Sequence, residues 1–475
     1  MCDSDDEAGI MGLSLDDDDV ALESSYKMMM NPSLRGYADH LTKRKQKFEH
    51  GRHQAGFATY GNVERGDRVL IAVSNLHERE IVEALSQSLK ERGASSVDVL
   101  ELDEGEDHEL TFDDEIIRIM RTEPYWKKPR WYDYQEPVLN YARDNGYDMV
   151  IHGRGGPMPK SDHAGNAYPF APKKFEAIPW ATKDVFLQKF AVFPPKLNYL
   201  INLKAWNMIY RMGKGGKVRI SDPEGTEIEY TLNDKYYDRS LDERGGFGPR
   251  PNLGHLFGYP TPPLIKEDDV IGEVKGTISH LTRPFKPITV RVDSGKIRDI
   301  NGGGDYGDAW RELVSKTENI KYPEFPDTGL FWLWEIAIGT NPKVQRPRNS
   351  LMLSSGAYEV ERSRSGIIHI GFGTRWSGPS EKWAGQNGAI YGHLHVHLMF
   401  PTFEIMTKNR ETVKVIDHGR LTALDDPEVK ELAKKYGDPE EILREDWIPS
   451  IPGISEEGRY EDYAKDPAEW IKVHG

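Results

Sequence analysis

Three histidines spaced two apart, His393, His395 and His397, stand in the run Tyr391-Gly-His-Leu-His-Val-His-Leu-Met399. Alternate residues of a β-strand share a face, so the three imidazoles line one side while Leu394, Val396 and Leu398 pack on the other. Imidazoles stacked along one strand face are hard to bury without a ligand, and histidine is the commonest metal-binding side chain. At about 3.3 Å per residue the outer two lie roughly 13 Å apart, and a metal with bonds of about 2.1 Å takes at most two neighbours. The third then orients a ligand, shuttles protons or touches substrate. A hydrogen-bonded or solvated histidine face is the alternative.

A second contributor is the strand-like Gly366-Ile-Ile-His-Ile-Gly-Phe-Gly-Thr374, where His369 stands between glycines that permit close approach. A third is Glu335, a carboxylate inside the otherwise apolar Gly329-Leu-Phe-Trp-Leu-Trp-Glu-Ile-Ala-Ile338. Burying it without a partner is costly, so a metal, an arginine or a proton must answer for it. That run is far shorter than the ~20 residues of a membrane span and reads as a buried strand.

The elements that would carry these side chains follow from periodicity. Arg68–Ser74 is an apolar, β-branched run, Glu78–Arg92 has apolar positions at helical spacing closed by Gly93, and Ser96–Leu102 alternates. Together they predict a strand-helix-strand unit of an α/β layer. Asp148–Gly156 predicts another strand running into a glycine turn. Gly213-Lys-Gly-Gly-Lys217 lacks P-loop spacing and reads as a hairpin turn. Lys217–Ser221, Thr226–Leu232 and Ile288–Val292 alternate apolar and polar residues, as strands with one wet face do. Past Asp425, the pairs Asp426-Pro427, Asp438-Pro439 and Asp466-Pro467 are helix openings, with aspartate as N-cap and proline at the first helical position.

The fold class expected is α/β. An acidic disordered tail (1–25) precedes an N-terminal α/β domain (26–200), a β-rich (α+β) metal-binding domain (201–425) and a helical C-terminal extension (426–475). A net charge of -15 leaves no global basic footprint for a nucleic-acid partner. The single cysteine, Cys2, cannot form an internal disulfide, which predicts a reducing, cytoplasmic setting and excludes cysteine-based zinc sites. No signal peptide and no membrane partner are expected.

The order of Lys217–Thr226, Glu335-Ile-Ala-Ile-Gly-Thr-Asn-Pro342, Gly366–Gly371 and a histidine pair spaced by one residue resembles the thermophilic metallo-aminopeptidase superfamily, which includes dihydroxypyridine ring-cleaving dioxygenases. The resemblance runs from about Gly66 to Met399 and omits both terminal extensions. It implies a homo-oligomeric metalloenzyme. Carried over by motif, it places the superfamily's glutamate on Glu335, its strand histidine on His369 and its final pair on His395 and His397, where histidine replaces an aspartate. An upstream glutamate ligand falls on His255, with Glu273 the competing match, and a downstream tyrosine falls on Trp376, with Tyr391 as a substitute.

Two-metal hydrolysis needs bridging carboxylates, and these departures trade carboxylates for imidazoles. The reading is one divalent metal per chain bound by His255, His369 and one or both of His395 and His397. Iron(II) follows from the dioxygenase branch, with dioxygen and a hydroxylated or heteroaromatic ring as reactants. Zinc(II) or cobalt(II) catalysing C–N hydrolysis is the alternative, and a metal-binding scaffold without activity a third reading. Glu335 and Tyr391 are the catalytic candidates, and Arg375, Trp376 and His393 the substrate contacts.

Overall fold

A computed structural model describes residues 13–14, 26–43, 47–48, 60–111, 120–121, 135–153, 174–178, 181–236, 256–259, 264–356, 360–374 and 378–474. The acidic tail therefore lies outside the described residues, apart from Leu13–Ser14. After helix α1 (Leu34–Lys43) come β1 (Arg68–Ser74), α2 (Arg79–Glu91), β2 (Ser96–Leu102), α3 (Gln135–Asp144), β3 (Met149–Gly153) and β4 (Lys174–Ile178). The four strands form a parallel sheet in the order β2-β1-β3-β4. Apolar burial along nearly all of β1 and β3 reflects helices on both faces, while edge strand β2 is wet at Asp98, Val99 and Glu101, so the alternation of its sequence is not kept at Val99.

The second part opens with α4 (Pro195–Trp206), which runs directly into a π-helical stretch at Asn207–Met212. The glycine-rich turn after it joins this helix to β5 (Lys217–Ser221); the expected hairpin at Gly213–Lys217 is therefore corrected to a helix-to-strand turn. Its glycines are needed because Ile209 O and Met406 O approach to within 2.5 and 2.7 Å of where Cβ atoms of Gly213 and Gly216 would sit. There follow β6 (Glu227–Thr231), β7 (Ile271–Ile278), β8 (Pro284–Asp293), β9 (Lys296–Gly302), α5 (Gly304–Thr317), β10 (Leu333–Ile338), β11 (Ile368–Gly373), α6 (Pro379–Asn387), β12 (Tyr391–Leu398), β13 (Thr402–Met406) and β14 (Thr412–Asp417). These strands pair antiparallel in the order β10-β11-β12-β7-β6-β5-β13-β14, with β8 on β7 and β9 on β8. Every residue of β10, β11 and β12 is buried. The chain is mixed α/β with a β-rich part, as the sequence predicts, and no helix among the described residues is long and apolar enough to cross a membrane.

The C-terminal residues form α7 (Pro427–Ala433), α8 (Pro439–Ile442), α9 (Tyr460–Lys465) and α10 (Pro467–His474). The Asp-Pro openings act as their chemistry dictates: Asp426 accepts from the backbone N–H groups of Glu428 and Val429, Asp438 from Glu440, and Asp466 from Glu469. Ile451, Tyr463 and Ile471 pack with Ile278, Ile367 and Met399 of the large sheet in a cluster separate from the main core.

Under α9 lies an acid pair, Asp222 buried and Glu224 half-buried. Glu224 Oε1 accepts from Tyr460 Oη at 2.8 Å and from Thr277 Oγ1 at 2.9 Å. Asp222 accepts from the backbone N–H groups of Glu224 and Phe400. Burial, reinforced by the Asp222 charge, pushes the Glu224 carboxyl up to about 8, and burial raises Asp222 as well. A carboxyl whose folded pKa lies above its unfolded value stabilises the folded state fully below about pH 4.5, and that contribution is lost as pH rises through about 8. Amide exchange in α9 is therefore expected to accelerate between these limits by up to about tenfold per pH unit beyond the intrinsic base-catalysed rate. Glu224→Gln should flatten the excess; an identical pH profile in the variant would refute the assignment.

Candidate metal centre

Cross-strand register puts the chemistry in rows. Glu335 on β10 is opposite Gly371 on β11, which is opposite His395 on β12; one row along, Ala337, His369 and His397 are opposite one another. Because Gly371 has no side chain, residues from strands on either side of it meet above it: Glu335 Oε2 lies 2.9 Å from His395 Nε2. The other carboxylate oxygen, Oε1, lies 3.1 Å from His369 Nε2. All three side chains are at most 4% exposed, and their donor atoms lie within 4.8 Å of one another.

Two adjacent ligands on an octahedral metal with bonds of about 2.1 Å are separated by about 3.0 Å. Both carboxylate–imidazole contacts match that edge. The protonation state fits too. Burial depresses His395 to about 3 despite the opposing hydrogen bond from Glu335, and burial, with neighbouring imidazoles, holds His280 and His397 well below the usual histidine range. Neutral imidazoles are the form that binds a cation. Among the described residues, neither ring nitrogen of His397 and not the Nδ1 of His395 has a hydrogen-bond partner. Buried polar atoms in that condition are uncommon.

Around the three donors stand other rings. His280, just beyond β7, stacks on His395 with centroids 4.1 Å apart and planes at 24°, and meets His393 edge-on at 5.2 Å. Trp334 meets His395 edge-on at 6.0 Å. Glu381 on α6 holds His393 Nδ1 at 3.3 Å and accepts from Thr374 Oγ1 at 3.0 Å. Tyr306 on α5 donates to the His395 carbonyl at 2.7 Å, pinning the centre of β12.

The structure thus brings together Glu335, His369 and His395 of the sequence candidates. His397 stands beside His369, ring centroids 5.7 Å apart, outside the three-donor group, and His393 flanks His395 at 5.7 Å. Tyr391 opens the same strand, roughly 13 Å along from His395, and packs in the apolar core. Glu273, half-exposed on β7, pairs with Lys275 at 3.0 Å. His255, Arg375 and Trp376 lie outside the described residues. Sequence reasoning missed His280 and Glu381. A lone histidine in the turn after a strand has no periodic partner to mark it, and a glutamate in the first turn of a helix reads as an ordinary response to the helix dipole.

No family model and no curated protein matches the chain. Among solved structures, it is similar to the 2,5-dihydroxypyridine dioxygenase of Pseudomonas putida KT2440, with 14% identity, a TM-score of 0.42 and coverage of 82% of this chain and 96% of that one. It is also similar to wild-type AmpT of Thermus thermophilus, with 13% identity, a TM-score of 0.45 and coverage of 82% and 98%. At these values neither likeness assigns a reaction or a substrate to this chain.

Proposed function

We propose that the chain is a mononuclear metalloenzyme in which Glu335, His369 and His395 hold iron(II), and that it uses dioxygen to open a hydroxylated or heteroaromatic ring. The observation that carries this reading is the single carboxylate set against two imidazoles across three adjacent strands, with donor separations of 2.9 and 3.1 Å. Two histidines and one carboxylate on one face of a metal, with the remaining positions open, is the donor set of non-haem iron oxygenases. A two-metal hydrolase needs bridging carboxylates; among the described residues the three-donor group holds one carboxylate, Glu335, and the nearby Glu381 is engaged with His393 and Thr374.

When bound, iron(II) supplies the electrons that activate dioxygen. The protein's part is positional and electrostatic. Glu335 offsets part of the cation's charge and fixes both imidazole planes. His280 and Trp334 confine the His395 ring on its open sides. Glu381 fixes the ring orientation of His393, the imidazole assigned in this reading to take the proton of a substrate hydroxyl.

Elemental analysis of protein purified without added metal, followed by oxygen uptake against a panel of dihydroxylated pyridines and benzenes, tests the reading. About one iron per chain and ring-dependent oxygen consumption are expected. Two zinc or cobalt ions per chain, with amide or peptide cleavage in the absence of oxygen, would transfer the chain to the hydrolases.

A further inference from the structure

Strand β7 ends irregularly. Its register with β8 shifts between Gly276 and Ile278, which leaves Thr277 as the bulged residue, and Ile278 then sits opposite His397 of β12. Bulges recur beside active sites because the extra residue re-aims the chain that follows. Here that chain is Ser279-His280-Leu281-Thr282, where Thr282 adopts a φ of +61° and His280 is laid over His395.

What fixes the bulge comes from far along the chain. Tyr463 of α9, 1% exposed, contacts Thr277 Oγ1 through its hydroxyl at 2.6 Å. Thr277 has one hydroxyl proton, and Glu224 Oε1 accepts it at 2.9 Å, so the tyrosine is the donor in the Tyr463–Thr277 bond. Tyr460 donates to the same Glu224 oxygen at 2.8 Å. The turn that carries Glu224 is itself tied to the end of the histidine strand, since Asp222 accepts from the Phe400 N–H at 3.0 Å. The apolar packing converges on the same places: Ile278 opposite His397, Ile367 two residues before His369 and Met399 two residues after His397 belong to one buried cluster with Tyr463 and Ile471.

We infer that Tyr463 is a positioning residue for the metal centre: through the Thr277 hydroxyl it fixes the β7 bulge, and the bulge sets His280 over His395. The inference rests on Glu335, His369 and His395 being metal ligands. It gives the helical extension a part in the site's chemistry, beyond that of a cover.

Cobalt(II) is the probe, because its visible ligand-field bands report ligand geometry while a competition titration gives affinity. The full chain is compared with Tyr463→Phe, Thr277→Val, their double variant and Thr277→Ser. Tyr463→Phe and Thr277→Val are each expected to weaken cobalt binding about tenfold and to move the ligand-field bands, as loss of groups that orient ligands does. The double variant should be no worse than either single one, and Thr277→Ser, which keeps the hydroxyl, should behave as the parent. A merely structural tyrosine would give a lower melting temperature with unchanged bands and affinity, and that result overturns the inference. Should Tyr463→Phe not fold, Thr277→Val alone decides by the same two readouts. A parent protein that takes up no cobalt would instead remove the reading of the three ligands, a failure separate from unchanged variants of a cobalt-binding parent.

Discussion

Glu335→Gln is expected to lower metal affinity by at least about a hundredfold, equivalent to about 2.7 kcal/mol. The substitution keeps the side chain's shape and removes its charge. In the parent, one carboxylate faces two imidazoles at 3.1 and 2.9 Å in a site at most 4% exposed, where screening by water is weak. An amide there offers a neutral oxygen to one neighbour and an N–H to the other, and the N–H repels any cation. His393→Ala is the contrast: His393 lies outside the three-donor group, so one metal per chain should survive with a loss of no more than about tenfold. Dialysis against a graded chelator followed by elemental analysis separates the two. Equal retention by the parent and Glu335→Gln would remove the carboxylate from the ligand set.

Gly371→Ala is expected to cause a comparable loss of metal without altering any donor. A methyl built on Gly371 would stand 2.5 Å from His395 Nε2, 2.8 Å from its Cδ2 and 3.1 Å from Glu335 Cβ. Something must move. The backbone of His395 is held by Tyr306, and every residue of β10, β11 and β12 is buried, so the freedom left is for the Glu335 and His395 side chains to part. Overpacking of this kind costs about 1–3 kcal/mol of stability, which leaves a folded protein to assay. Circular dichroism close to the parent's together with lost metal would show that the centre depends on the gap above Gly371. Full metal retention would mean that the two side chains do not need to meet.

Much of this was legible in the residues. The strands Arg68–Ser74 and Ser96–Leu102 appear with those bounds because β-branched runs closed by turn residues leave few alternatives, and the three Asp-Pro helix openings are local chemistry that tertiary contacts did not overrule. The face shared by His393, His395 and His397 follows from a period of two. Which of the three meets His369 and Glu335 does not, because period fixes the face and register fixes the row. Register here depends on an irregularity between Leu333 and Glu335 and on the absence of a side chain at Gly371, neither of which has a sequence pattern of its own. The π-helical stretch at Asn207–Met212 was hidden for a related reason: α4 before it has apolar residues all round, so periodicity marks no end. His280 was invisible because a bulge, set by Tyr463 from a distant helix, decides where it points.

Burial of the three donors also bears on time. Glu335, His369 and His395 are 3%, 1% and 1% exposed, so a bound ion is expected to exchange slowly, through partings of the neighbouring strands. Exchange is then governed by the opening of β10, β11 and β12, among the least yielding elements of such a fold, and not by how fast an imidazole lets go of a cation. Loading and release at this centre should therefore be slow to reach equilibrium, so titration and chelator dialysis read affinity only after incubation long enough for those strands to open.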